Sequence, residues 1–194
     1  MNKNISISFI IITFSYLFAQ NEVCFNIEAN PNPFDSALNG FTKYVNVLDC
    51  FHIYAEPSIS NEKLLHAAAV AAELLDNDED GNVDDPLIEV SLHNSEAMMP
   101  IFSTEWSQAM DDVWDHYDGC VSAALFNNEI DPTQPGHWGD DATVEEILHT
   151  INVCGQVQVY PNTFDPFPNS SMLSDAMDIA RGGQFITIPS QYPE

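Results

Sequence analysis

The ten residues from Asp76 to Asp85 read Asp-Asn-Asp-Glu-Asp-Gly-Asn-Val-Asp-Asp, alternating carboxylates about one glycine between two stretches of helical character. Asp76, Asp78 and Asp80 recur at every second residue. In a tight turn their oxygens can converge on one point, as a hard cation requires, and Gly81 permits the sharp bend. Upstream, Leu64, Leu65, Ala68, Val70, Ala71, Leu74 and Leu75 form a wide apolar helical face behind Ser60, a helix cap. Downstream, Asp85 and Pro86 read as an N-cap followed by proline at the first helical position. The segment is therefore constrained to helix, acidic loop, helix. The plainer alternative is a solvated acidic turn, but chance clustering of acids does not also place a glycine at the bend and an apolar residue, Val83, near the end.

In this order the residues resemble the first nine positions of an EF-hand calcium loop. The resemblance implies calcium as the ligand. Asp76, Asp78 and Asp80 would bind through side chains, Asn82 through its backbone carbonyl and Asp84 at the ninth position through water, with Val83 turned inward. The twelfth position, a bidentate glutamate in the family, is Leu87, so Asp85 or Glu89 would have to stand in. Without that glutamate the loop reads as a permanently loaded staple at extracellular calcium levels, rather than a switch that opens a groove.

Residues 1-20 carry one lysine, an apolar run interrupted by serine and threonine, and Ala19 near the end, the pattern of a secretory signal peptide. No later segment approaches the ~20 apolar residues of a membrane span. Residues 21-194 are read as a single secreted domain, and the ending in Pro189-Ser190-Gln191-Tyr192-Pro193-Glu194 without a closing element suggests a C-terminally truncated chain. The formal net charge of −26, with 30 acids against 4 lysines and arginines, repels phosphates and attracts cations. That excludes nucleic acid as a partner and favours metal ions. Four cysteines, Cys24, Cys50, Cys120 and Cys154, all follow the signal, and no two are spaced as a Cys-x-x-Cys pair. Two disulfides are expected in an oxidising compartment; four cysteines allow three pairings, which sequence does not decide, and Cys24 with Cys50 and Cys120 with Cys154 is the favoured one because each closes a moderate loop.

The remaining pattern mixes strands and helices. Alternation at Tyr44 to Leu48 and short apolar runs at Met98 to Phe102, Val121 to Phe126 and Phe185 to Ile188 read as strands. Helices are expected after Pro86, from Ser103 with Trp106, Met110, Val113, Trp114 and Tyr117 inward, from Ala142 to Val153 ending at Gly155, and from Ser170 or Ser171 to Arg181. Residues 127-138 read as a loop, and Asp140 or Asp141 as the cap of the helix that follows.

Thr143-Val144-Glu145-Glu146-Ile147-Leu148-His149-Thr150-Ile151 resembles the active helix of zincin metallopeptidases, with Glu145 in place of the first metal histidine. The resemblance to the thermolysin-like group implies Glu146 as general base and a possible zinc or other transition metal held by Glu145, His149 and, from the next helix, Asp175. Arg181, on that same helix, would steady an anionic intermediate, or more simply pair with a neighbouring acid. Glu146-x-x-His149 is also the pair used by di-iron carboxylate helices, but that site needs a second such helix, which the chain lacks. The expected fold is α+β and zincin-like, several helices packed on a small sheet, with an EF-hand-like calcium loop. Three functions compete: a secreted metal-dependent hydrolase of peptide substrates or an inactive relative of one, a non-enzymatic extracellular calcium-binding structural or surface protein, and a general acidic cation sequesterer.

Overall fold

A computed structural model describes residues 25-133, 141-167, 170-180 and 182. The signal-peptide reading at 1-20, the Cys24 half of one disulfide, Asp140, Arg181 and the strand expected at Phe185 to Ile188 lie outside these residues.

The described residues form an α+β structure on a five-stranded sheet whose strands run in chain order. β1 (Glu28–Ala29) pairs antiparallel with β2 (Lys43–Val47), and β2 pairs antiparallel with β3 (Phe51–Ala55). β3, β4 (Met98–Phe102) and β5 (Leu125–Phe126) are parallel. The β2-β3 hairpin turns through Leu48 and Asp49, both at positive φ (48° and 54°), the handedness that matches strand twist. Leucine is a costly residue there, and its packing against the core offsets the backbone penalty.

Parallel neighbours need crossovers, and helices supply them. Between β3 and β4 run α1 (Asn61–Leu75) and α2 (Pro86–Asn94), and between β4 and β5 runs α3 (Gln108–His116). Ser60 caps α1 by accepting from the Lys63 amide, and Asp85 caps α2 by accepting from the Leu87 amide, with Pro86 in the first turn. One sheet face presents Val45, Val47, Ile53 and Ile101 to Leu64, Ala67, Ala68 and Ala71 of α1. The small side chains on α1 let α4 (Thr143–Ile151) pack beside it and bury Ile147 and Ile151. The other face is aromatic. Phe41, Tyr44, Tyr54 and Phe102 stack with centroid separations of 4.9–5.8 Å and are covered by Ala109 and Val113 of α3. Every residue of β4 is buried because both of its faces are covered, which explains an apolar run without alternation.

Several expected elements differ from the structure. α3 begins at Gln108, capped by Ser107, and not at Ser103. The Glu56 carboxylate accepts from the Ser103 amide and, at 2.5 Å, from the Ser107 hydroxyl, so the intervening residues are held out of helix. Trp106 is consequently 90% exposed, and Trp114 faces outward too, whereas Val113 is buried as expected. Of the strand expected from Val121 to Phe126, only Leu125–Phe126 pairs. The Cys120 amide donates to the Ser95 carbonyl, and the Cys120 carbonyl accepts from the Met98 amide at the start of β4. Gly155 does not end a helix. α4 passes into a π-helical segment, Asn152–Gln156, and on through α5 (Val157–Val159) to α6 (Pro161–Phe164). A Cβ at Gly155 would lie 3.0 Å from Ile88 and 3.2 Å from Leu92, so this glycine admits α2 against the π segment. The last described helix is α7 (Met172–Ala180).

The Cys120–Cys154 disulfide is present as expected and ties the segment before β5 to the π segment across 34 residues. Cys50 is buried, forms no disulfide among the described residues, and has its thiol pKa pushed up to about 12, chiefly by burial. Replacing Cys120 and Cys154 together by alanine is expected to cost about 2–4 kcal/mol by releasing the loop in the unfolded chain. Urea denaturation of the oxidised parent and the double variant measures that difference.

Candidate metal centre and adjoining cleft

The acidic loop folds around its own carboxylates. α1 stops at Asp76, whose amide still reaches the Ala72 carbonyl, and the Asp76 side chain, buried to 8% exposure, then accepts from the amides of Asp80 (3.1 Å) and Gly81 (2.8 Å). Those bonds curl the chain back on itself. Gly81 takes φ +88°, where a side chain would be strained, and Val83 drops into the core. The Asp84 amide closes the loop on the Leu75 carbonyl at 2.9 Å, while its carboxylate accepts from the amide and side chain of Asn77 (3.2 and 2.8 Å).

Ligand atoms of Asp76, Asp78 and Asp84 consequently lie within 4.8 Å of one another, the group of three among the described residues with spacing suited to a metal ion. Asp80, expected as a ligand, stands outside this group. Asp80 Oδ1 accepts from both the amide and the side chain of Asn82, each at 2.9 Å, and Asp80 is not part of the three-carboxylate group. The neighbouring Asp80 charge nevertheless raises the Asp78 pKa, with desolvation and then Asp84 and Asp76 adding to the effect. This is the mark of carboxylates crowded without a counter-charge, and a cation would relieve it. Asp85, a candidate for the missing twelfth ligand, has both oxygens engaged elsewhere and is not in the three-carboxylate group. One of its oxygens caps α2 and the other accepts from the Tyr160 hydroxyl at 2.8 Å, the bond chiefly responsible for its lowered pKa.

Tyr160 packs its ring against Phe164, at a centroid separation of 6.4 Å, and Phe164 lines a cleft of about 1080 Å³ between α4, α6 and α7. Its lining combines Val144, Leu148, Phe164, Leu173 and Met177 with the polar Glu129, Glu145 and His149. The π segment aims Asn152 at the same space, where its side-chain amide donates to Gln156 (3.1 Å) and to the Phe164 carbonyl (3.2 Å). Helix α2 backs this wall, with the Ser91 hydroxyl donating to the Cys154 carbonyl at 2.8 Å.

Of the residues expected at a transition-metal site, the structure brings two together. Glu145 Oε1 and His149 Nε2 lie 3.9 Å apart on the exposed cleft face of α4. Asp175 sits exposed on α7 and joins no group of three metal-binding side chains among the described residues. Glu146 points away from the cleft lining into a half-buried position. Desolvation raises its pKa, partly countered by His149 and reinforced by Glu145 and Glu129. Arg181 lies outside the described residues.

One polar centre escaped the sequence reading. Asp141, expected only as a helix cap, is buried with its Oδ2 2.9 Å from His66 Nε2 of α1. Its Oδ1 accepts from the Thr143 hydroxyl (2.5 Å), the Thr143 amide (3.2 Å) and the Asp131 amide (3.4 Å). Ala142 occupies the N-cap position, so Asp141 serves the helix from one residue earlier. Its acidity beside a helix start was legible. The partner 75 residues away was not.

No protein-family model, curated protein or solved structure matches the chain.

Two expectations follow. Asp141→Asn places an amide against donors already aimed at a carboxylate, and it should cost about 1–3 kcal/mol or more, read as a shift in the urea midpoint. Glu146 has a folded pKa above its unfolded value, so the folded state holds more protons and stability falls as pH rises through the interval between the two. Glu146→Gln should therefore raise the melting temperature at neutral pH and leave it unchanged below the carboxylate range. A lower melting temperature at neutral pH would mean that the charged form is needed.

Proposed function

We propose that the protein is a secreted calcium-binding protein in which the loop from Asp76 to Asp84 holds one ion as a structural staple between α1 and α2. The observation that carries this reading is the approach of Asp76, Asp78 and Asp84 within 4.8 Å on a turn framed by two capped helices. An all-oxygen donor set suits a hard cation, and the small number of fixed ligands suits weak binding at extracellular calcium levels. The Cys120–Cys154 disulfide is consistent with an oxidising compartment. No helix among the described residues is long and apolar enough to cross a membrane.

Calcium bound only by the folded state adds stability by mass action, about 2.7 kcal/mol when free calcium is about one hundred times Kd. Thermal unfolding with calcium and with chelator should show this increment, and calorimetry should show one saturable site. Asp78→Asn should weaken binding at least about tenfold by removing a charged ligand. Without calcium it should leave stability unchanged or raised, because it removes a crowded charge. Many weak, unsaturable sites would instead indicate a general cation sequesterer, and identical melting with calcium and chelator would sink the proposal.

A second reading, metal-dependent hydrolysis of a peptide at α4, is supported by Glu145 and His149 facing a large cleft side by side. These are two donors, one fewer than the three protein ligands of a catalytic zinc, and no third completes them among the described residues. No hydrolytic step is derived for this pair. Elemental analysis of the purified protein separates the readings: stoichiometric zinc would favour the second and calcium alone the first.

A further inference from the structure

We propose that the cleft between α4, α6 and α7 binds a short peptide segment in which a lysine or arginine is flanked by apolar residues. The inference does not depend on the calcium loop being occupied, and it uses side chains that play no part there.

The first argument is shape and lining. At about 1080 Å³ the cleft stands at the upper end of the range for small-molecule sites, with room for several side chains. Val144 and Leu148, 40% and 41% exposed on one face of α4, oppose Leu173 and Met177 of α7. These groups offer nothing to a bare metal ion, but a flanking leucine or phenylalanine would bury them.

The second argument is charge. Among the described residues no lysine or arginine lines the cleft, whereas Glu129 and Glu145 do, on two separate elements. The described cations are engaged elsewhere: Lys43 donates to the Ile59 carbonyl and Lys63 to the Asn127 carbonyl. A cationic side chain arriving with apolar neighbours matches both properties of the lining, and an anion matches neither.

The third argument is the π segment. Single π turns interrupt α-helices at functional sites more often than elsewhere, and this one directs the Asn152 and Gln156 side chains to the cleft. Their amides can exchange their mutual bond for a peptide backbone group. The Asn152 bond to the Phe164 carbonyl holds the opposite wall in place meanwhile.

The test uses fluorescence anisotropy on the full secreted chain, in calcium-containing buffer, with a labelled short peptide carrying lysine between leucines and a counterpart carrying glutamate instead. Saturable binding of the lysine peptide alone is expected, weakened by raising salt. Glu145→Gln should weaken it by about two- to fivefold, the range of an exposed charge pair. Leu148→Ser should weaken it by about fivefold or more through lost apolar contact. Both positions are exposed, so unchanged melting temperatures will confirm that the variants fold. Glu105→Gln, an exposed acid outside the cleft, should bind as the parent does. Equal binding of the glutamate peptide would overturn the proposal, as would equal weakening by Glu105→Gln and Glu145→Gln, parent-like binding by both cleft variants, or no saturable binding.

Discussion

A chain with 30 acidic side chains and only 4 lysines and arginines cannot neutralise its carboxylates by ion pairing, so the fold turns backbone N–H groups toward them. Asp76 gathers the amides of Asp80 and Gly81, Glu56 that of Ser103, Asp85 that of Leu87, and Asp141 those of Asp131 and Thr143. Each bond is charge-assisted and satisfies an amide that a helix start or turn would otherwise leave unpaired. The acids therefore act as punctuation. They set where α2 starts, where the segment before α3 is withheld from helix, and how the loop after α1 closes.

That arrangement runs out at the acidic loop. For Asp78 a backbone bond from Asp80 does not offset the like charges beside it, Asp80 first, and its pKa is raised. The loop geometry is built by Asp76 and Asp84 bonding to the backbone and side chains of the loop itself, which leaves a compact arrangement of oxygens that could hold a metal ion. The same loop is joined mechanically to the cleft. Asp85 meets Tyr160, α2 presses on Gly155, and Ser91 holds the Cys154 carbonyl of the disulfide-linked π segment. Helix α2 thus connects the acidic loop to the π segment, whose Asn152 and Gln156 line the cleft.

Local signals were readable where the cause is local. Ser60, Asp85 and Pro86 mark helix starts because caps and proline act within one turn, and the alternation at Tyr44 to Val47 marks a strand whose two faces meet different cores. Expectations failed where a distant group intervened. Trp106 and Trp114 have the spacing of an inward helical face, but Glu56, 51 residues before Ser107, delays the helix and turns Trp106 outward. Gly155 has the appearance of a helix terminator, yet it is required by contact with Ile88 and Leu92. Glu145, Glu146 and His149 are adjacent on paper, while helical geometry puts Glu145 and His149 on the cleft face and leaves Glu146 beside it.

By itself the sequence determined the helix, acidic loop, helix frame, the strand at Tyr44 to Val47 and that at Met98 to Phe102, and the acidic charge of the chain. These follow from periodicity, capping and charge, all properties of neighbouring residues or of composition. Only the tertiary structure decided that Asp76, Asp78 and Asp84 converge while Asp80 turns to Asn82, that His66 and Asp141 join α1 to α4, and that α4, α6 and α7 enclose a cleft. Each depends on where side chains far apart in the chain meet. That is set by packing against the shared core, and no local pattern encodes it.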